Sequence, residues 1–110
     1  SKKPAFTRFN VFLRDEFRCQ YCFSENNLTY DHIIPKSQGG KTTWNNVLTA
    51  CSDCNTSKGN KTLQEAKLLP NSEPFEPTIS FLQEKIKRYP PNYLHESWKD
   101  YLYWDIELEP

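Results

Sequence analysis

A chain of 110 residues is the length of one domain and buries only a modest core, so a metal or covalent staple adds usefully to its stability. Composition is that of a soluble globular chain, 36% hydrophobic and 25% charged, with a high aromatic share of 15%. No apolar run nears the roughly 18 residues of a membrane span and residues 1–9 lack the apolar stretch of a secretory signal, so the expectation is a cytoplasmic protein with no membrane partner. Net charge is zero, which excludes a uniformly basic nucleic-acid coat, but its distribution is uneven. Residues 1–61 carry nine Lys and Arg against five Asp and Glu, and residues 62–110 carry five against nine. A basic half is enough to meet phosphate, because binding follows local charge.

In chain order, Thr7 is placed to cap a short helix running to Asp15, with Phe9, Val11, Phe12 and Leu13 as its apolar positions. Phe17–Phe23 encloses a first Cys-x-x-Cys, Cys19 and Cys22. Leu28–Ile34 is rich in β-formers and stops at Pro35, which predicts a strand. Lys36–Thr43, with Gly39-Gly40 inside, reads as a loop, and Asn46–Ala50 as a second strand entering a second Cys-x-x-Cys, Cys51 and Cys54. Ser52–Lys58 reads as helix ended by Gly59, and Thr62-Leu63-Gln64-Glu65 as a capping box opening another. Leu69–Pro77 is an extended connector. Thr78–Arg88 is the clearest helix, with Ile79, Leu82 and Ile86 on one face. Pro90-Pro91 breaks it, and the aromatic stretch Tyr93–Ile106 is expected to pack back on the domain, base stacking being the alternative use of Tyr93, Trp98, Tyr101, Tyr103 and Trp104. His95 stands outside any constellation.

Two matched Cys-x-x-Cys pairs in a reducing compartment point to a four-thiolate zinc site, Cys19, Cys22, Cys51 and Cys54, rather than to two disulfides. The strand–loop–strand–helix order sets Asp31 and His32 at the end of one strand and Asn55 on the following helix. A carboxylate and an amide oxygen are hard ligands suited to magnesium, an ion that keeps waters and substrate phosphate in its shell. His32 follows Asp31 and so faces the other way, where a neutral imidazole with a pKa near 6.5 accepts a proton from water.

Asp31-His32-Ile33-Ile34-Pro35, Gly39-Gly40, Asn45-Asn46-Val47, Cys51 to Cys54, Asn55 and Lys58-Gly59, spread in order over residues 14–66, strongly resemble the HNH endonuclease family. The resemblance implies a small ββα-metal core stapled by a four-cysteine zinc site; with the elements read above and the length of the chain, the expectation is an α+β fold with flanking helices in a single domain over 1–110. It leaves the C-terminal helical and aromatic extension, 69–110, unexplained. It implies a metal-dependent endonuclease hydrolysing phosphodiester bonds in DNA, with structural Zn2+ and catalytic Mg2+ or Mn2+. His32 would be the general base, and Asp31 and Asn55 the catalytic metal ligands. Asn46, favoured over Asn45 by its spacing to Val47, would hold the loop between the strands and orient the histidine. Lys58, one turn after Asn55, is the expected phosphate contact; Lys36, Lys41 and Lys61 would track the backbone, with Arg14 and Arg18 as further contacts.

Each residue has a plainer reading: Asn46 a turn residue, Lys58 a solvated helix lysine, Asn55 a cap. The competing function is a non-catalytic zinc module that binds nucleic acid or protein, which accounts for the cysteines and leaves Asp31, His32 and Asn55 unused. A deaminase is excluded by the absence of its zinc-ligand and glutamate signature. The sequence carries no signal for oligomeric state or biological role.

Overall fold

The computed structural model describes residues 3–89 and 107–109. Helix α1 (Arg8–Arg14) is capped by Thr7, whose hydroxyl accepts from the Asn10 amide at 3.1 Å. Strands β1 (Leu28–His32) and β2 (Val47–Cys51) pair antiparallel, with Leu28 opposite Cys51 and His32 opposite Val47. Helix α2 (Ser52–Lys58) leaves β2 directly and ends at Gly59, and α3 (Leu63–Ala66) opens on a formed capping box between Thr62 and Glu65. Helix α4 (Ile79–Lys87) is capped by Thr78. No described helix is long and apolar enough to cross a membrane. The expected packing of Tyr93–Ile106, with His95 among them, lies outside the described residues.

The first strand stops two residues earlier than its β-forming run. Ile33 still donates to the Asn46 carbonyl at 2.8 Å, but the Asn46 side chain takes the amide and carbonyl of Ile34, and the chain then turns through a 3₁₀ turn at Lys36–Gln38 with Gly40 donating to the Pro35 carbonyl at 2.9 Å. A Cβ on Gly40 would stand 1.6 Å from the Ile34 carbonyl oxygen, so only glycine admits this close approach.

Every residue of β2 is buried, because α1 covers one face and α2 and the cysteine knuckle close the rest. Three apolar clusters result. Phe9, Leu13 and Phe17 pack with Leu82, and Phe81 and Ile86 of α4 join them, which ties α4 to α1. Leu48 and Ala50 pack with Cys19 and Cys51; Val11 and Val47 pack with Trp44. Each large side chain so buried contributes roughly 1.5–3 kcal/mol.

Arg14 organises this junction. Its five N–H donors reach both Asp15 carboxylate oxygens, the Trp44 and Phe75 carbonyls, and the Val47 carbonyl, at 2.7–3.1 Å. Asp15 in turn accepts from the Thr49 amide at 2.8 Å. Read from sequence as a phosphate contact, Arg14 is instead a buried strut with no donor left over.

Candidate functional site

The hairpin has a different donor set at each end. At the Leu28–Cys51 end, the four cysteine sulfurs all lie within 4.8 Å of one another. The first knuckle is shaped by backbone bonds, Cys19 N–H to the Ser24 carbonyl and Phe23 N–H to the Cys19 carbonyl. The second comes from the start of α2, where the Cys51 sulfur caps the helix by accepting from the Cys54 amide. Cys22 and Cys51 sulfurs stand 3.7 Å apart. Tetrahedral zinc with sulfurs at about 2.3 Å requires neighbouring sulfurs about 3.8 Å apart, so the cluster fits a zinc site.

The thiols respond to this crowding. Burial pushes Cys19 up, but backbone N–H groups at Cys51, Cys22 and Tyr21 outweigh it and bring Cys19 down to about 7. Cys54 is pushed up, by burial first and then by the three sulfurs around it. Four ionised sulfurs cannot share this space without a cation, which makes the cluster's deprotonation and metal capture one event.

At the other end, Tyr30, Asp31, His32, Pro35, Lys36 and Asn55 are among the residues that line an open cleft of about 220 Å³. Asp31 and His32 leave β1 on opposite faces, as strand pleating requires. Asp31 turns inward and is buried. Its Oδ2 accepts a 2.6 Å hydrogen bond from the Tyr21 hydroxyl, and Lys58 Nζ lies 3.4 Å from Oδ1 and 3.3 Å from Oδ2. Burial, then the bond to Asp31, pushes the Tyr21 phenol far above its ordinary value, so it stays protonated and donates.

His32 is half-buried, with Nε2 2.7 Å from the Thr42 hydroxyl and its ring 5.9 Å from that of Tyr30. Its pKa is lowered from the ordinary 6.5, first by burial, then by the positive charge of Lys36 and, more weakly, of Lys58, with Asp31 opposing. The imidazole is therefore neutral at pH 7. Asn55 Nδ2 donates to the Tyr30 carbonyl at 3.0 Å, which ties α2 to β1 and orients the amide. Asn46 bridges the loop: Oδ1 accepts from the Ile34 amide at 2.9 Å, and Nδ2 donates to the Ile34 and Lys41 carbonyls at 3.1 and 2.8 Å.

The basic residues divide. Lys36 lines the cleft, whereas Lys41 and Lys61 are exposed outside it. Arg18 pairs with Glu25 at the surface. Lys58, expected to face phosphate, turns inward instead. It is 1% exposed, and its Nζ donates to the His32 carbonyl at 2.7 Å besides meeting Asp31. A buried carboxylate needs a nearby cation, and one turn of α2 delivers Lys58 to it. Sequence reasoning missed Tyr21 and Thr42. Tyr21 had a signal in its place inside the first Cys-x-x-Cys; Thr42 had none, since only the folded-back loop brings it to His32.

Comparison with known proteins finds similarity over the part of the chain that holds this site. Residues 19–68, which include both ends of the hairpin, match the family model described as HNH endonuclease. The CRISPR-associated endonuclease Cas9 of Corynebacterium diphtheriae is 39% identical over 57 residues, 48% of this chain and 5% of that protein. The chain thus spans a small fraction of the length of that relative. No solved structure matches the chain.

Proposed function

We propose, on the premise that residues 19–68 form an HNH endonuclease unit, that the protein hydrolyses phosphodiester bonds in DNA at the cleft between β1 and α2. The observation that carries this reading is the meeting of Asp31, His32 and Asn55 along one cleft beside Lys36. A base, two hard oxygen donors and a cation are what water attack on a phosphodiester needs, and a zinc module without catalysis has no use for them.

In this reading His32 is the general base. With Nε2–H donated to Thr42, the lone pair on Nδ1 takes the proton from water, and the lowered pKa keeps it available at neutral pH. Asp31 and Asn55 would hold Mg2+ or Mn2+, a choice suited to carboxylate and amide oxygens and unsuited to retaining zinc. Bound there, the divalent ion would supply charge neutralisation at the phosphoryl and leaving oxygens. Lys36 steadies a phosphate at the cleft, Lys41 and Lys61 draw the flanking backbone, and Asn46 keeps the loop from drifting off His32. The four cysteines would hold Zn2+ as a structural ion.

Nicking of supercoiled plasmid in magnesium or manganese, lost in His32→Ala and in Asp31→Ala, is the test. A metal-supplied wild-type protein that binds DNA without nicking it would hand the function to the non-catalytic zinc module.

A further inference from the structure

The side chain of Tyr21 joins the first cysteine knuckle to the cleft. Tyr21 lies between Cys19 and Cys22, so its backbone is placed by the same turn that aims the two sulfurs, and its ring packs against the cluster formed by Cys19, Leu48, Ala50 and Cys51. Its hydroxyl is held 2.6 Å from Asp31 Oδ2, on a residue ten positions away and on another element. The two oxygens of Asp31 are consequently unequal. Lys58 Nζ lies 3.3 Å from Oδ2 and 3.4 Å from Oδ1 and does not distinguish them, whereas the short phenol bond goes to Oδ2, so that among the described residues Oδ1 has the lysine alone. A carboxylate on a free Asp side chain turns easily about its last torsion. Here the phenol bond to Oδ2, with the lysine set between the two oxygens, fixes that torsion and leaves Oδ1 as the oxygen with capacity to spare.

We propose that Tyr21 is a positioning residue for the divalent-cation site, through which the cysteine knuckle sets the orientation of Asp31 and hence the affinity of the cleft for its ion. This deepens the nuclease reading and rests on it, because it takes Asp31 to be a metal ligand. A hydrogen bond that orients a ligating group is worth typically 10–100-fold in metal affinity, far more than a surface tyrosine hydroxyl contributes. It also gives the knuckle a second task beyond stability: when the cysteine cluster is intact, Tyr21 is held in place and the carboxylate is already turned.

The test is manganese titration of the full chain, wild type, Tyr21→Phe and Asp31→Ala, alongside zinc content and thermal melting. Tyr21→Phe removes one oxygen and keeps the ring. The expected result is a Kd for Mn2+ raised about 10–100-fold with zinc content unchanged, and plasmid nicking that returns toward the wild-type rate when manganese is raised to saturation. An unchanged Kd in Tyr21→Phe, with Mn2+ binding lost in Asp31→Ala, overturns the positioning role and leaves the nuclease reading standing. Mn2+ binding retained in Asp31→Ala overturns both. Zinc lost together with manganese affinity would make Tyr21 a packing residue of the knuckle and would also overturn the inference.

Discussion

The two ends of the β1–β2 hairpin show how differently one small fold treats soft and hard donors. At the Leu28–Cys51 end, four sulfurs crowd within 4.8 Å, two of them buried, on turns shaped by their own backbone bonds. At the His32–Val47 end, the donors are few and lie along an open cleft, and each is oriented by a partner from elsewhere in the chain: Asp31 by Tyr21 and Lys58, His32 by Thr42, Asn55 by the Tyr30 carbonyl. A closed thiolate site contributes stability, whereas an open oxygen site must exchange waters and substrate. On the proposed reading the former should tolerate no loss of a ligand, and the latter should lose chemistry before it loses the fold.

The largest effect should come from the closed end. Cys51→Ser removes a sulfur that also caps α2, and structural zinc contributes roughly 10–16 kcal/mol of apparent binding free energy, more than the whole stability of a small domain. The variant should be unfolded at 25 °C by circular dichroism; a wild-type melt would erase the contrast between the two ends. Next, Lys58→Ala should cost about 3–5 kcal/mol, as expected on stripping a buried carboxylate of its cation. A loss near zero in chemical denaturation would return Lys58 to the solvated face.

His32→Ala should slow nicking on the order of a hundred to ten thousand fold with zinc content and melting temperature kept, so activity and fold separate at the open end. Gly40→Ala should destabilise by about 3 kcal/mol, since its methyl meets the Ile34 carbonyl and the backbone must shift; normal stability in that variant would show that the loop takes up the methyl easily.

The smallest effect is on pH. A base works deprotonated, so nicking should rise with pH through the His32 pKa, and because that pKa is lowered the midpoint of the acid limb should fall below 6.5. Lys36→Ala removes one of the positive charges that lower it and should move the midpoint upward, whatever it does to the rate. A midpoint that stays put would exclude His32 as the group titrating, or Lys36 as its neighbour.

Local chemistry makes much of this molecule legible in its sequence. The Thr7 cap, the Thr62–Glu65 capping box, Gly59 after α2 and Pro35 after the strand are short-range backbone effects, and they mark the element boundaries to within a residue or two. The pairing of the two Cys-x-x-Cys turns was equally readable, because each turn aims its sulfurs without outside help. The constellation of Asp31, His32 and Asn55 could be assembled from element order alone.

What tertiary structure decided is where long side chains end. Arg14 and Lys58 carry the same charge and stem as any surface basic residue, and nothing in the neighbouring sequence says that each will be buried. They turn inward because distant acceptors converge there only once the hairpin has closed against α1 and α2: the Trp44, Val47 and Phe75 carbonyls for Arg14, which add to the Asp15 carboxylate next in sequence, and Asp31 and the His32 carbonyl for Lys58. Thr42 reaches His32 for the same reason, and so does Tyr21 reach Asp31. Backbone geometry is set by the residues next in line and can be read there; the burial and partners of a flexible side chain are set by whichever distant groups the fold brings near.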